Sequence, residues 1–160
     1  MTRNARTKQF RKEIQNEYFL YIIEKYKNNS DEIKKEEIKK LFYDNFEYIY
    51  DNEELVEEAD ELGLIFWNGD VDDYDFNLSN HDFLQLTWIE KYPTKDWNFG
   101  GSYDYYNGGY MYNGISWNDN LEIEWLERFP FKEWNWNAIS RHPNFKLEWV
   151  TRFPNKPWDL

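Results

Sequence analysis

The feature that most constrains this chain is a segment that recurs three times in its second half. It reads LTWIEKYPTKDWNF at 86–99, IEWLERFPFKEWNW at 123–136 and LEWVTRFPNKPWDL at 147–160. Each copy has a Trp, a Pro five residues later, a Lys two residues after the Pro, and a second Trp two residues after the Lys. A fixed period of this kind is typical of chains that stack small structural units, because one unit cannot bury its apolar face alone.

The spacing of the copies reveals an insertion. The last two copies are offset by 24 residues, whereas the first two are offset by 37. The additional 13 residues are 100–112, since removing them brings the residues that follow into register with the last copy. A degraded stretch, YDFNLSNHDFLQLTW, leads into the first copy. An Asn-Gly-Asp turn near residue 68 predicts the boundary with the first half of the chain.

Within one copy, the apolar spacing predicts two short helices and a proline corner. Leu147, Val150 and Phe153 are three residues apart and predict the buried face of one helix. The proline after Phe153 disfavours the α conformation at that residue, so the helix should end there. The segment EWNWNAISR predicts the second helix. Because neither helix is stable alone, we expect the tryptophans, including Trp125 and Trp149, to be buried.

The first half of the chain predicts three helices that do not repeat. Apolar residues recur every four positions in the first helix, and Ser30 is expected to cap the second. The third should begin at Asn52 and stop at Gly63, since glycine suits the residue that follows a helix. The residues expected to face the core are Phe10, Ile14, Tyr18, Ile22 and Tyr26, then Ile38, Phe42, Phe46 and Ile49, then Leu55, Val56, Ala59 and Leu62.

Together these patterns predict an all-α protein: an N-terminal three-helix unit followed by a short α-solenoid of helix-turn-helix repeats. We expect a basic arm at 1–12, a helical unit at 13–66, and a Trp/Pro repeat region at 67–160 that carries the insertion 100–112.

The net charge of −12 is unevenly distributed, which limits the expected partners. Residues 1–40 hold eleven Lys or Arg, whereas the acidic segment 41–90 holds fifteen Asp or Glu and no Lys or Arg. Nucleic acid is not expected, because only the N-terminal arm could neutralise phosphates. The acidic segment favours a basic protein partner, and it equally suits a solvated surface that promotes solubility. Neither a membrane span nor a secretory signal is recognised, so we expect an intracellular protein that is not secreted.

No catalytic, cofactor-binding or metal-binding residue is predicted. The chain has no cysteine. His81 and His142 fall at equivalent repeat positions, where the second copy has Asn118, and this exchange favours a local hydrogen-bonding role. Three serines are likewise equivalent, so none is distinguished as a nucleophile. The acidic loop 68–79 lacks the glycine and the glutamate of an EF-hand. We therefore expect a non-enzymatic protein.

One surface is predicted to bind a partner. Trp117 is equivalent to the polar residues Asn80 and Arg141 in the other copies, so its ring is expected at the surface. Tyrosines in the nearby insertion resemble those of protein-binding loops, and the predicted partner-binding residues are Tyr103, Tyr105, Tyr106, Tyr110, Tyr112 and Trp117. A passive solvent loop and a carbohydrate-binding surface are the alternatives for these aromatic residues.

The repeat text resembles that of a known family. PNKPWD at 154–159, WNW at 134–136, Ile139-Ser140 and Pro143-Asn144 are similar to the Trp/Pro-rich repeats of giant DNA viruses of the mimivirus type. The resemblance covers 74–160 and implies a viral helical repeat protein, with no catalytic residues carried over. We therefore expect an interaction or structural module that binds a viral or host protein, in the infected host cell or in the virion.

An alternative function rests on the N-terminus. The stretch ARTKQ, Ala5 to Gln9, is identical to the opening of one core histone tail. This suggests a regulatory mimic that binds histone-tail readers through the basic arm, or basic host proteins through the acidic segment. A chance match in a basic arm explains the same five residues.

Overall fold

A computed structural model describes residues 3–29, 34–68, 76–101, 103–104, 109–110 and 113–160. The chain divides into two compact units, Met1–Phe66 and Trp67–Leu160. The fold is helical, as predicted, with seven α-helices in the described ranges. Within those ranges, none of the helices combines the length and the apolar character required to span a membrane.

Unit 1 consists of α1 (Arg3–Asn28), α2 (Lys35–Ile49) and α3 (Glu53–Glu61). The predicted inward faces of α2 and α3 are confirmed except at Leu62, which is half-buried. The buried side chains are Ile38, Phe42, Phe46 and Ile49, and Leu55, Val56 and Ala59. The residues expected to form a separate basic arm, from Arg3 to Lys12, are the first turns of α1. Ser30 lies outside the described residues and is not the N-cap of α2, a position that Lys34 occupies.

The inward face predicted for α1 is wrong at three of its five positions, and the other two, Ile22 and Tyr26, are half-buried. Phe10, Ile14 and Tyr18 are 64%, 49% and 43% exposed, whereas Phe19 and Ile23 are completely buried. The buried stripe is therefore displaced by one residue from the regular four-residue spacing. The ring of Phe19 packs against that of Phe42 in α2, with ring centroids 4.6 Å apart.

A polar contact explains why α1 turns this way. Asn16 Nδ2 donates to the carbonyl of Tyr48 at 2.9 Å, and its Oδ1 accepts from Asn52 Nδ2 at 2.8 Å. The Oδ1 of Asn52 in turn accepts from the backbone N–H of Leu55, so Asn52 caps α3 as predicted. Because buried polar groups need partners, these bonds set the rotation of α1.

The end of α3 also matches its prediction. Gly63 has a φ of +72°, a conformation that glycine adopts without a steric cost. Its N–H bonds to the carbonyl of Asp60, and that of Leu64 bonds to the carbonyl of Ala59, both at 2.9 Å. These two bonds form a Schellman motif, which ends the helix.

Unit 2 is built from much shorter helices, α4 (Leu86–Lys91), α5 (Ile123–Arg128), α6 (Trp136–Ser140) and α7 (Leu147–Arg152). Single 3-10 turns at Leu78–Asn80 and Ile115–Trp117 take the place of α6 in the first and second copies. In the insertion, β1 (Tyr103–Asp104) pairs antiparallel with β2 (Gly109–Tyr110). This pair is a small departure from the all-α prediction within the described residues.

The proline corners form as predicted. The residue before proline has φ between −126° and −128° and ψ between 61° and 65° in all three copies, at Tyr92, Phe129 and Phe153. Each of these residues therefore leaves the α region and ends its helix.

The tryptophans predicted to be buried are buried, with Trp125 5% and Trp149 1% exposed. The face predicted from Leu147, Val150 and Phe153 is not buried as expected, since Val150 and Phe153 are half-buried. Leu147 is 73% exposed, whereas its equivalent Ile123 is 8% exposed. Leu147 is the first residue of α7, and Trp149 takes the inward direction of that helix.

Candidate contact site in the repeat region

The equivalent positions His81, Asn118 and His142 hold successive copies together. Each side chain accepts the backbone N–H two residues ahead at 3.0 Å. Asn118 Nδ2 donates to the carbonyl of His81 at 3.0 Å. His142 Nδ1 accepts a hydrogen bond, so Nε2 carries the hydrogen and donates to the carbonyl of Asn118 at 2.7 Å. The predicted hydrogen-bonding role is confirmed, and it extends from one copy to the next.

A second set of amides repeats the same bridging. Asn120 Nδ2 donates to the carbonyls of Asp82 and Leu84, at 2.7 and 3.1 Å. One copy later, Asn144 Nδ2 donates to the carbonyls at 119 and 121, at 2.9 and 3.0 Å. The asparagine side chains are therefore used to join backbone turns, which fixes the turns of neighbouring copies against each other.

Aromatic and serine contacts also recur. Counted by these contacts, the copies begin at the aromatic residues Trp67, Phe99 and Trp136. A Lys ammonium lies over each of these rings, in the pairs Lys95–Trp67, Lys132–Phe99 and Lys156–Trp136, at 5.6, 5.5 and 5.2 Å. The backbone carbonyl of each starting residue accepts a hydrogen bond from the serine of that copy: Ser79, Ser116 and Ser140. These serines have structural partners, which agrees with their equivalence in the sequence.

The recurring contacts show that two copies are interrupted at the same point. The starting aromatic residue and the serine are 12 residues apart in the first copy, 17 in the second and 4 in the third. The first two copies therefore carry eight and thirteen extra residues, 68–75 and 100–112. The first copy thus starts at Trp67, which its low similarity had concealed.

The ends of the insertion 100–112 are fixed by backbone contacts. Asn98 Oδ1 accepts from the N–H of Gly101 at 2.8 Å, and Asn80 Oδ1 accepts from that of Gly114 at 2.5 Å. Gly114 has a φ of +94°, and an added Cβ would lie 2.8 Å from the carbonyl oxygen of Asn98. The ring of Trp117 packs so close to Gly101 that a Cβ there would meet it at 2.5 Å.

Beside this junction lies a cleft of about 520 Å³ between the turns of the first and second copies. Its walls are polar apart from Trp117 and Gly114, and the residues that line it are Asn80, His81, Asp82, Asn113, Gly114, Trp117, Asn118, Asp119 and Asn120. Trp117 is half-buried, between the surface position that was predicted and a core position.

The structure places the other predicted contact residues only in part. The backbones of Tyr103 and Tyr110 pair directly in the two-residue strands. The predicted contact residues Tyr105, Tyr106 and Tyr112 lie outside the described residues.

Two exposed aromatic residues of unit 2 were missed by the sequence analysis. Phe131 is 96% exposed and Phe83 is 60% exposed. Both stand where the other copies have polar residues, namely Thr94 and Asn155 for Phe131, and Asn120 and Asn144 for Phe83. The comparison that identified Trp117 would have found both, had it been applied to every repeat position.

The charged segments of unit 1 are partly paired with each other. Lys12 and Lys27 of α1 form ion pairs with Asp51 and Glu58 of the acidic segment. The stretch Ala5–Gln9, which matches a histone tail, lies within the helix α1. A reader that binds an extended peptide would have to unwind these turns first.

Comparisons with known proteins assign no family: no family model, no curated protein and no solved structure matches the chain. The resemblance to giant-virus repeats therefore remains a prediction.

Proposed function

We propose that this chain is a non-enzymatic protein-interaction module, of a giant virus as the repeat text implies. In this proposal the Trp/Pro copies form a short solenoid that serves as a frame. The partner contacts the insertion 100–112 and the neighbouring ring of Trp117. Binding sites placed on loops that a rigid scaffold positions are common among proteins.

The observation that carries the proposal is that the frame repeats with and without the insertion. In the third copy, Asn135 Oδ1 accepts from the N–H of Ala138 at 3.0 Å and caps α6. The Oδ1 of its equivalent Asn98 likewise accepts from the N–H of the residue three positions ahead, which is Gly101 at the start of the insertion. If 100–112 were removed, Gly114 would stand three residues after Asn98, where Ala138 stands after Asn135. Without the insertion, Asn98 can therefore bond to Gly114 as Asn135 bonds to Ala138, which completes the turn. In this proposal the tyrosines of the insertion supply contact area for the partner.

The test is a loop-less variant that lacks 100–112 and carries Gly114→Ala, which reproduces the third copy. We expect its helical circular dichroism and melting temperature to stay close to those of the parent. Quantitative cross-linking in infected cells should show that partners of the parent chain are lost from this variant. A Glu148→Gln variant, which changes an exposed residue of α7, serves as the control and should keep them.

Two results would count against the proposal. An unfolded loop-less variant would make the insertion part of the frame. A folded loop-less variant with the full set of parent partners would make the insertion a passive loop.

A further inference from the structure

Several of the side-chain amides that line the cleft beside Trp117 are already used in hydrogen bonds. The Nδ2 groups of Asn118 and Asn120 donate to the carbonyls of His81 and Asp82 in the preceding copy. The Oδ1 of Asn80 accepts from the N–H of Gly114, which follows the insertion. Two of the amide donors that line the cleft are therefore already used between copies.

Its carboxylates, in contrast, are available. Asp82 and Asp119 occupy equivalent positions in the first and second copies, and both are exposed. No ion pair or side-chain hydrogen bond within the described residues occupies either carboxylate. Asn120 bonds to the carbonyl of Asp82, so the two aspartates lie on adjacent turns. The cleft thus presents two negative charges on adjacent turns, and none of its lining residues is Lys or Arg.

Aromatic surface borders these charges. The half-buried ring of Trp117 lines the cleft. Phe83 follows Asp82 in the chain, and its exposed ring lies 5.9 Å from the ring of His81, which also lines the cleft. Acceptor groups and aromatic rings together suit a ligand that is cationic, rich in donors and able to stack.

We propose that this cleft binds an arginine side chain of a basic protein segment. The guanidinium donates to the carboxylates of Asp82 and Asp119 and stacks on the ring of Trp117, while its aliphatic stem passes over Phe83. Arginine is preferred to lysine because its planar group can stack and can form paired hydrogen bonds. This inference rests on the proposed interaction function and specifies the chemistry of the partner.

The test measures binding of a fluorescent oligoarginine peptide to the full chain by anisotropy, at low and at physiological ionic strength. Replacing both carboxylates, with Asp82→Asn and Asp119→Asn, should weaken binding about tenfold. Trp117→Arg should weaken it by a similar factor, and the third copy already has Arg141 at that position. An oligolysine peptide of equal length should bind less tightly than oligoarginine.

A matched control separates the cleft from general electrostatics. Glu133→Gln with Glu148→Gln removes two exposed charges outside the cleft and should leave the affinity within about twofold of the parent at physiological ionic strength. Circular dichroism melts of all variants check that each one folds.

Three outcomes would overturn the inference. In the first, the control variant weakens binding as much as the aspartate variant does. In the second, oligolysine binds as tightly as oligoarginine. In the third, the chain binds a glycan on an array but does not bind oligoarginine. If the loop-less chain also loses its cross-linked partners, the interaction function stands and only the arginine site is wrong. Retention of all partners would instead count against the interaction function itself.

Discussion

At the scale of single residues, position 118 explains why the repeats exchange asparagine and histidine. Both side chains offer one acceptor and one donor that point in different directions. The acceptor closes the residue's own turn, and in Asn118 and His142 the donor reaches the carbonyl of the preceding copy. In a single copy, a buried histidine could be mistaken for a catalytic residue. Comparison of the copies shows that histidine and asparagine make the same hydrogen bonds at this position.

Burial at this scale gives a paired prediction within α7. Trp149 is 1% exposed, so Trp149→Ala should lower the free energy of unfolding by about 3–5 kcal/mol. Leu147→Ala, in the same helix, should change it by less than about 0.5 kcal/mol because this side chain is exposed. Urea unfolding of both variants measures the difference. Equal effects would contradict the burial that separates the two residues.

At the scale of secondary-structure elements, the features set by local chemistry could be predicted from the sequence. Proline fixed the end of each repeat helix, Asn52 capped α3 and Gly63 ended it. The buried face of α1 could not be predicted, because two adjacent apolar stripes were available. The choice depended on Phe42 and Tyr48, which come from another helix.

The candidate site was predictable to a similar degree. Trp117 was identifiable because its equivalents are polar. The cleft was not, since it depends on which amides bond to the preceding copy, and only the fold shows that Asn118 and Asn120 are used in this way. Asp82 and Asp119 therefore looked like two acids among many.

Gly114 provides a prediction about the insertion as an element. With 100–112 present, Gly114→Ala should lower the free energy of unfolding by about 1–3 kcal/mol, since the φ of +94° strains any other residue. Without 100–112, the same substitution should be neutral or stabilising, because residue 114 then takes the helical position of Ala138. A double-mutant cycle measured by thermal unfolding compares the two backgrounds. An equal cost in both would show that the loop-less chain keeps the glycine conformation.

At the scale of the whole molecule, two separate cores predict how substitutions combine. Phe46→Ala lies in unit 1 and Trp149→Ala in unit 2, so their effects on the free energy of unfolding should add to within about 0.5 kcal/mol. Trp136 and Trp158 have ring centroids 5.1 Å apart, and their alanine variants should combine non-additively. Chemical unfolding of the single and double variants tests both statements. Strong coupling between Phe46 and Trp149 would contradict the separation of the cores.

The shared point of interruption has a consequence for how such a chain changes over generations. Eight residues occupy it in the first copy, thirteen in the second and none in the third. Each duplication of a unit therefore supplies a new joint that can acquire sequence without altering the inherited frame. The inserted sequence and the fold can then diverge at different rates. The joint after Trp136 is still empty, which makes it a natural place to graft a foreign recognition loop.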